Sequence, residues 1–497
     1  MSDRRVRVVQ RSSATDEDEV CALLDQSIEV VLPRGTPAWR HQVLALALVD
    51  LLGRLFPRIR VVCNPSAHAH LDLPPGASSL AERLQDARAH GETPEEPVGC
   101  DVRIVIGDST EAADIYLDGA EWQSYVGTRP SRLVGDDAAA LPVGPLVAAC
   151  RGAAQVVGRV FGDGLSRSHI IESSYWSALT FHHSSEPLEE QAPEAPHYLK
   201  ALLVGAGSIG GAATYLLARV PGLQGELNVV DPQAFEAHNP DRALLATQAL
   251  AEKEAVKVEV VKDALAHLVD FDVRATRSTL AGLLAQSPRE ATLPLVLSAV
   301  DSVASRREIQ DSLPLDLIDA ACSPDEVSIS GHRTDDGPCI YCLHVGNVLA
   351  RDAIHLRLLE KATGFNERFI LGLLHTKTLL TDQHLRQIEQ HRSIPLGSLA
   401  DHTGKTLEAL YRDALLYGEM AVRTSGGGQA AVAAPFITAL AGFLLAAEGL
   451  KNGAGEAYRP YRLGALGELP TLYRESLYGS IPRIALWLAR IRTANGG

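Results

Sequence analysis

Basic residues are in deficit in this 497-residue chain. Against 46 Lys and Arg stand 61 Asp and Glu, a formal net charge of -15. Such a balance implies no broad cationic surface, which argues against nucleic acid as a main partner. Cysteine is scarce as well: seven residues at irregular spacing, with none after Cys342. An odd, irregular set gives no disulfide framework and suits a reducing compartment, so a cytoplasmic location is expected. The opening stretch, MSDRRVRVVQRSS, lacks the apolar core of a signal peptide. Long apolar runs are missing with one exception, AAVAAPFITALAGFLLAA at 430–447. That run approaches bilayer length. It is Ala-rich and includes Pro435 and Gly442, so a core or interface helix is expected there and no membrane partner.

What the chain does have is hydrophobic content of 46%, enough for a substantial core, and a length that implies two or three domains. Its most informative stretch begins at Tyr198. A short apolar strand, 201–204, runs into Gly205-Ala206-Gly207-Ser208-Ile209-Gly210. A small-residue helix follows, then a strand at 227–230 that ends on Asp231. Strand, glycine turn, helix, strand and acid is the order of a nucleotide-binding βαβ unit. Gly205 permits the tight turn, Gly207 lets phosphate oxygens approach the backbone, and Gly210 lets the helix pack close to the sheet. The helix N-terminus offers unpaired N–H groups and the positive end of a dipole to a phosphate. Asp231 stands where a carboxylate can take the hydroxyls of a ribose.

The residues after Asp231 bear on which nucleotide is bound. Asn239 and Arg242 come close behind, then Lys257, and a buried-looking strand at 295–300 ends on Asp301. An Asn, an Arg and a Lys converging on a phosphate loop suit a triphosphate. An acid at a strand's carboxyl end is placed to hold Mg²⁺ on those phosphates. Asp301 has a second reading as the cap of a helix beginning near Ser302.

The ordered series resembles the ThiF/MoeB adenylyltransferases, the superfamily that includes the ubiquitin-activating enzymes. The resemblance rests on Gly205, Gly207 and Gly210, then Asp231, Asn239 with Arg242, Lys257, and Asp301 with Arg306. It continues through Pro338-Cys339-Ile340-Tyr341-Cys342 and an Ala-rich helix near 439–451, covering roughly 198–345 and 428–452. The resemblance implies an α/β fold: a Rossmann-like adenylation domain with a mostly parallel sheet. It also implies that Asp231 binds the ATP ribose and that Asn239, Arg242 and Lys257 contact phosphates. Asp301 would bind Mg²⁺ and be essential to catalysis. The implied reaction is attack by a carboxylate on the α-phosphate of ATP, giving an acyl-adenylate and pyrophosphate. The carboxylate is usually the C-terminus of a ubiquitin-like or sulfur-carrier protein or peptide. A homodimer is the expected assembly. The chain departs from the pattern at Ser208, Pro240 and Ala243, and Lys253 is an alternative to Lys257. None of these departures removes a charge from the site. The rival readings are an NAD-dependent oxidoreductase and an inactive scaffold partner of an activating enzyme.

Cys339 and Cys342 form half of a zinc site. The family's second pair is absent, so a packed remnant is expected in preference to bound zinc. The lack of later cysteines also argues against a thioester step. The acidic, proline-rich stretch 184–197 reads as a linker between a front region, 1–183, and the adenylation region, 198–497. The front region shows strand candidates at 6–9, 28–32, 59–63 and 102–106, with helix candidates at 36–56, 79–89 and 143–161. It is expected to be a second, degenerate α/β domain without a phosphate loop, either an inactive pseudo-subunit or a substrate-recognition domain. A charged helical insertion is expected over about 343–426.

Overall fold

The computed structural model describes residues 24–69, 79–87, 100–109, 111–135, 141–160, 173–190, 197–286, 295–322, 326–333, 339–340, 356, 359–360, 362–392, 396–410, 434–453 and 473–476. The expected strand at 6–9 and residue Cys342 lie outside them. The chain divides into two compact units. One holds Glu17–Cys339 and Ala433–Gly497, and the other holds Met1–Asp16 and Ile340–Val432.

Two seven-stranded sheets make up the described part of the first unit. The front half runs β1 (Ser27–Val31), α1 (Trp39–Gly53), β2 (Arg58–Val62), α2 (Leu80–Asp86), β3 (Val102–Ile106), β4 (Ile115–Ala120), β5 (Gln123–Gly127), α3 (Val143–Val160), β6 (Ser173–Ser177) and β7 (His183–Ser184). Its sheet order is β2-β1-β3-β4-β5-β6-β7. The pairings from β2 to β4 are parallel and those from β4 to β7 antiparallel. α1 is buried from His41 to Gly53, which explains why its sequence is apolar almost all round. Part of the expected linker lies on this sheet: the Gln123 amide donates to Leu188 O at 2.6 Å and accepts from Leu188 N at 3.0 Å.

The rear half runs β8 (Tyr198–Val204), α4 (Ser208–Leu217), β9 (Gln224–Val230), α5 (Gln248–Glu252), α6 (Lys257–Leu265), β10 (Phe271–Thr276), α7 (Leu280–Gln286), β11 (Leu295–Ser298), α8 (Val303–Asp311), β12 (Asp316–Cys322) and β13 (Glu326–Arg333).

The second compact unit is helical where it is described, with α9 (Glu367–Thr376), α10 (Asp382–His391) and α11 (Leu407–Leu410). Ile370, Leu373, Leu385, Ile388, Leu407 and Leu410 form its core. The Asn366 side chain caps α9 and Thr381 caps α10.

The rear half closes with α12 (Pro435–Gly453) and β14 (Tyr473–Ser476). Its order is β10-β9-β8-β11-β12-β13-β14, parallel through β12 and antiparallel beyond. This is the mostly parallel, Rossmann-like sheet expected from sequence. The direction of strand order changes between β8 and β11, and ligands bind such sheets at the carboxyl ends of strands beside that switch.

α12 carries the apolar run and packs on α4, on the rear strands and on α3 of the front half. Its buried Lys451 pairs with Glu448 and lies 4.5 Å from the Phe181 ring centroid, on the front half. Among the described residues, no helix is long and apolar enough to cross a membrane.

Candidate active site

The turn from β8 into α4 lies at the switch point. Gly205 has φ +96°, and an added Cβ would stand 2.7 Å from Ala299 O. That conformation and that approach both require glycine. A Cβ at Gly210 would stand 2.0 Å from Gly205 O, so the helix start and the turn are in direct contact. Gly207 differs: nothing lies within 4 Å of where its Cβ would be. Gly207 is the N-cap of α4, and no side chain caps that helix. The open space therefore faces the uncapped, dipole-positive end of a helix.

Asp231 is buried at the end of β9. Its carboxylate accepts from Ala206 N and from Gln233 N, both at 2.8 Å. The first bond ties the acid to the glycine turn. A carboxylate has about four lone-pair sites, so hydroxyl donors still have acceptors there. Lys257, also buried, donates through Nζ to Gln233 Oε1 at 2.6 Å. Lys253, the other lysine of interest, is exposed at the C-cap of α5. Of the two, Lys257 is the one connected to Asp231, through Gln233.

Asn239 and Arg242 lie on a short irregular segment opened by a 3-10 turn at Asn239–Asp241. Asn239 Oδ1 accepts from Glu236 N at 2.9 Å, so this side chain shapes its own loop. The segment reaches α4 through Leu245, whose side chain lies 3.7 Å from a Cβ placed at Gly211. Thr438 of α12 donates to Arg242 O at 3.2 Å.

Asp301 follows β11 and is exposed. The cap of α8 is Ser302, whose Oγ accepts from Ser305 N at 3.0 Å. The Asp301 carboxylate makes no hydrogen bond or ion pair among the described residues. An exposed, unengaged carboxylate is the donor type Mg²⁺ takes together with phosphate and water. No group of three His, Cys, Asp or Glu side chains able to hold a metal occurs among the described residues. A magnesium ion that draws most of its ligands from phosphate and water needs no such cage.

The Asp301 turn is supported by Arg306 and by two residues that the sequence did not single out, Asp319 and Ser298. Arg306 Nε bonds both oxygens of Asp319 at 2.9 Å, and its Nη2 donates to Val300 O at 2.7 Å. Ser298 donates to Asp319 at 2.5 Å. Burial pushes the Asp319 carboxyl up, against the opposing pull of Arg306 and Ser298. The pair fixes the backbone immediately before Asp301. An acid flanked by Leu317-Ile318 and Ala320-Ala321 within β12 was the available signal, since a buried carboxylate needs a partner.

Cys322 lies within electrostatic reach of Arg242 and Arg306, yet burial pushes its thiol up to about 11. A thiol of that acidity is a poor nucleophile near neutral pH. Cys339 is half-buried; Cys342, the other member of the half zinc site, lies outside the described residues.

The ThiF family model matches residues 188–458. Uncharacterized protein y4jF of Sinorhizobium fredii (strain NBRC 101917 / NGR234) is 27% identical over 429 residues, covering 83% of this chain and 78% of that one. Among solved structures, E. coli MccB crystallised with MccA is 18% identical, with a TM-score of 0.25 over 28% of this chain. This chain covers 43% of MccB, less than half its length. TcdA (CsdL) is 16% identical over 52% of this chain and 88% of its own, with a TM-score of 0.28. The family match spans more than half of the sequence and contains the glycine turn, Asp231, Asn239, Arg242, Lys257 and Asp301: the chain belongs to the ThiF family.

Proposed function

We propose that this protein activates a carboxylate by adenylation with Mg-ATP. One observation carries the reading: open space over the uncapped start of α4 at Gly207, with Asp231 tied to the same turn and an unengaged Asp301 at the end of the neighbouring strand. Asp231 accepts the ribose hydroxyls. The N–H groups at the start of α4 take a phosphate. Arg242 and Lys257 face the charge that grows on the departing group, where fixed cations lower the barrier. Asp301 holds Mg²⁺, which when bound neutralises phosphate charge. A carboxylate oxygen of the substrate forms a bond to the α-phosphorus as the bond to the β-phosphate oxygen breaks, so an acyl-adenylate and pyrophosphate result. The acyl substrate is the C-terminus of a carrier protein or peptide, as family membership suggests. The protonated thiol of Cys322 speaks against an enzyme thioester.

The front half acts as an internal pseudo-subunit. Its support is the near-repeat of the rear sheet order and the packing of α3 on α12. On this reading the domains are the front α/β half to about residue 183 and the adenylation half from 198, interrupted by an insertion near 343–426.

The test is pyrophosphate exchange into ATP in the presence of peptides or carrier proteins with free C-termini. Asp301→Ala should lower exchange by at least about 100-fold with an unchanged melting temperature. Exchange at the wild-type rate in that folded variant would remove Asp301 from the mechanism.

A further inference from the structure

Arg54 is the last residue associated with α1, in the front half, and is only 2% exposed. Its Nε and Nη2 bond Asp50 Oδ1 at 3.1 and 2.8 Å. The same guanidinium crosses to the rear half: Nη1 donates to Pro240 O, and Nη2 to Leu244 O at 3.4 Å. Thr438 holds the carbonyl between them, Arg242 O. Three alternate carbonyls of one irregular segment are thus held from outside it. Within that segment, backbone bonds run from Arg242 N and Ala243 N to Asn239 O and from Ala246 N to Ala243 O.

We infer that Arg54 is a positioning residue for the adenylation proposed above: from the front half it sets the backbone that presents Arg242 to the nucleotide phosphates. The inference rests on that reading of the site. Asp50 neutralises the Arg54 charge locally, so the action is geometric and not a field at the phosphates. Only the planar fork of arginine serves a carboxylate and two carbonyls together; a lysine ammonium on a flexible stem does not. The arrangement also gives the front half a task that needs no ligand of its own.

The experiment uses the full chain with Arg54→Gln, Arg54→Lys and Thr438→Val. Hydrogen exchange is read without nucleotide, and ATP affinity is read by calorimetry with Mg²⁺. In Arg54→Gln, amides at 242, 243 and 246 should exchange about ten-fold faster, while β8 and β9 stay protected. ATP should bind about ten-fold more weakly, as expected when a binding group is misplaced. Arg54→Lys should behave like Arg54→Gln although it keeps the charge. Thr438→Val, which disturbs packing least, should shift both readings the same way by about three-fold. Unchanged ATP affinity in a variant whose 239–246 segment has loosened overturns the role of Arg54, as does rescue by Arg54→Lys. Absence of ATP binding in the wild-type chain instead overturns the adenylation reading, and the role of Arg54 with it.

Discussion

The two halves of the sheet unit open alike and end differently. Each begins with a strand, a turn, a helix and a parallel strand, and each turn contains a glycine of positive φ, Gly35 at +97° and Gly205 at +96°. In each, the third residue of the helix meets the residue just past a neighbouring strand. In the front half that helix residue is His41, whose ring lies 3.0 Å from a Cβ placed at Gly107. His41 Nε2 sits 3.2 Å from Asp118 Oδ1, and Arg40 Nη1 is 3.6 Å from the same oxygen. In the rear half the helix residue is Gly210, and its added Cβ would be 3.5 Å from Ala299 Cβ. The crevice beside the front turn, at Gly107, is thus filled by the protein's own cation, imidazole and carboxylate. The rear turn carries almost no side chain and leaves space at Gly207. The rear opening, where side chains are left out, is the one the proposed function assigns to the nucleotide.

The sharpest way to break this comparison is to put a methyl where the rear half omits one. Gly210→Ala forces a carbon to within 2.0 Å of Gly205 O. Overpacking of that kind costs about 3 kcal/mol, and alanine returns about 1 kcal/mol of helix propensity. The expected outcome is a net loss of about 2 kcal/mol in denaturant unfolding, together with loss of nucleotide binding as the turn shifts. A wild-type unfolding midpoint would show that the turn relaxes without cost.

Much of the rear half was legible in the sequence, because glycine spacing and strand-end acids are local signals. Asp231 directly follows β9 as its sequence context indicated, while β11 ends at Ser298, short of the expected 300, so Asp301 stands three residues beyond it. The front half was legible only in its parallel part, where apolar runs such as 102–106 stand out. Its antiparallel strands β4 to β7 were not. They are interrupted by Ser and Gly, and β5 pairs with β6 across the whole length of α3. Arg54 was illegible for a related reason: its carbonyl partners lie 186 and 190 residues away. The Arg306–Asp319 pair left a fainter trace, an acid between apolar neighbours in β12. That Lys257, and not Lys253, connects to Asp231 through Gln233 is visible only in the folded chain.

A smaller effect separates the two rear glycines. Gly207→Ala meets nothing within 4 Å, so stability should fall by no more than about 1 kcal/mol, the scale of a changed N-cap. ATP affinity should nevertheless fall about ten-fold, because the methyl enters the space a phosphate would use close to backbone N–H groups. Calorimetric titration beside a thermal melt reads both. Wild-type affinity in this variant would move the phosphate away from the turn.

The smallest effect belongs to the front half and tests whether its turn is only a support. Gly35 shares the positive φ of Gly205, but no atom lies within 4 Å of its would-be Cβ, whereas at Gly205 Ala299 O stands 2.7 Å away. Gly35→Ala therefore adds backbone strain and no clash. Strain of that kind amounts to about 1 kcal/mol, which in a unit this large lowers the melting temperature by roughly 2 °C. Nucleotide affinity and pyrophosphate exchange should remain at wild-type values, because the neighbouring crevice is already filled by His41 and Arg40. A Gly35→Ala protein that melts normally yet binds ATP less tightly would mean that the front turn itself takes part in the nucleotide site, and the division of labour between the halves would have to be redrawn.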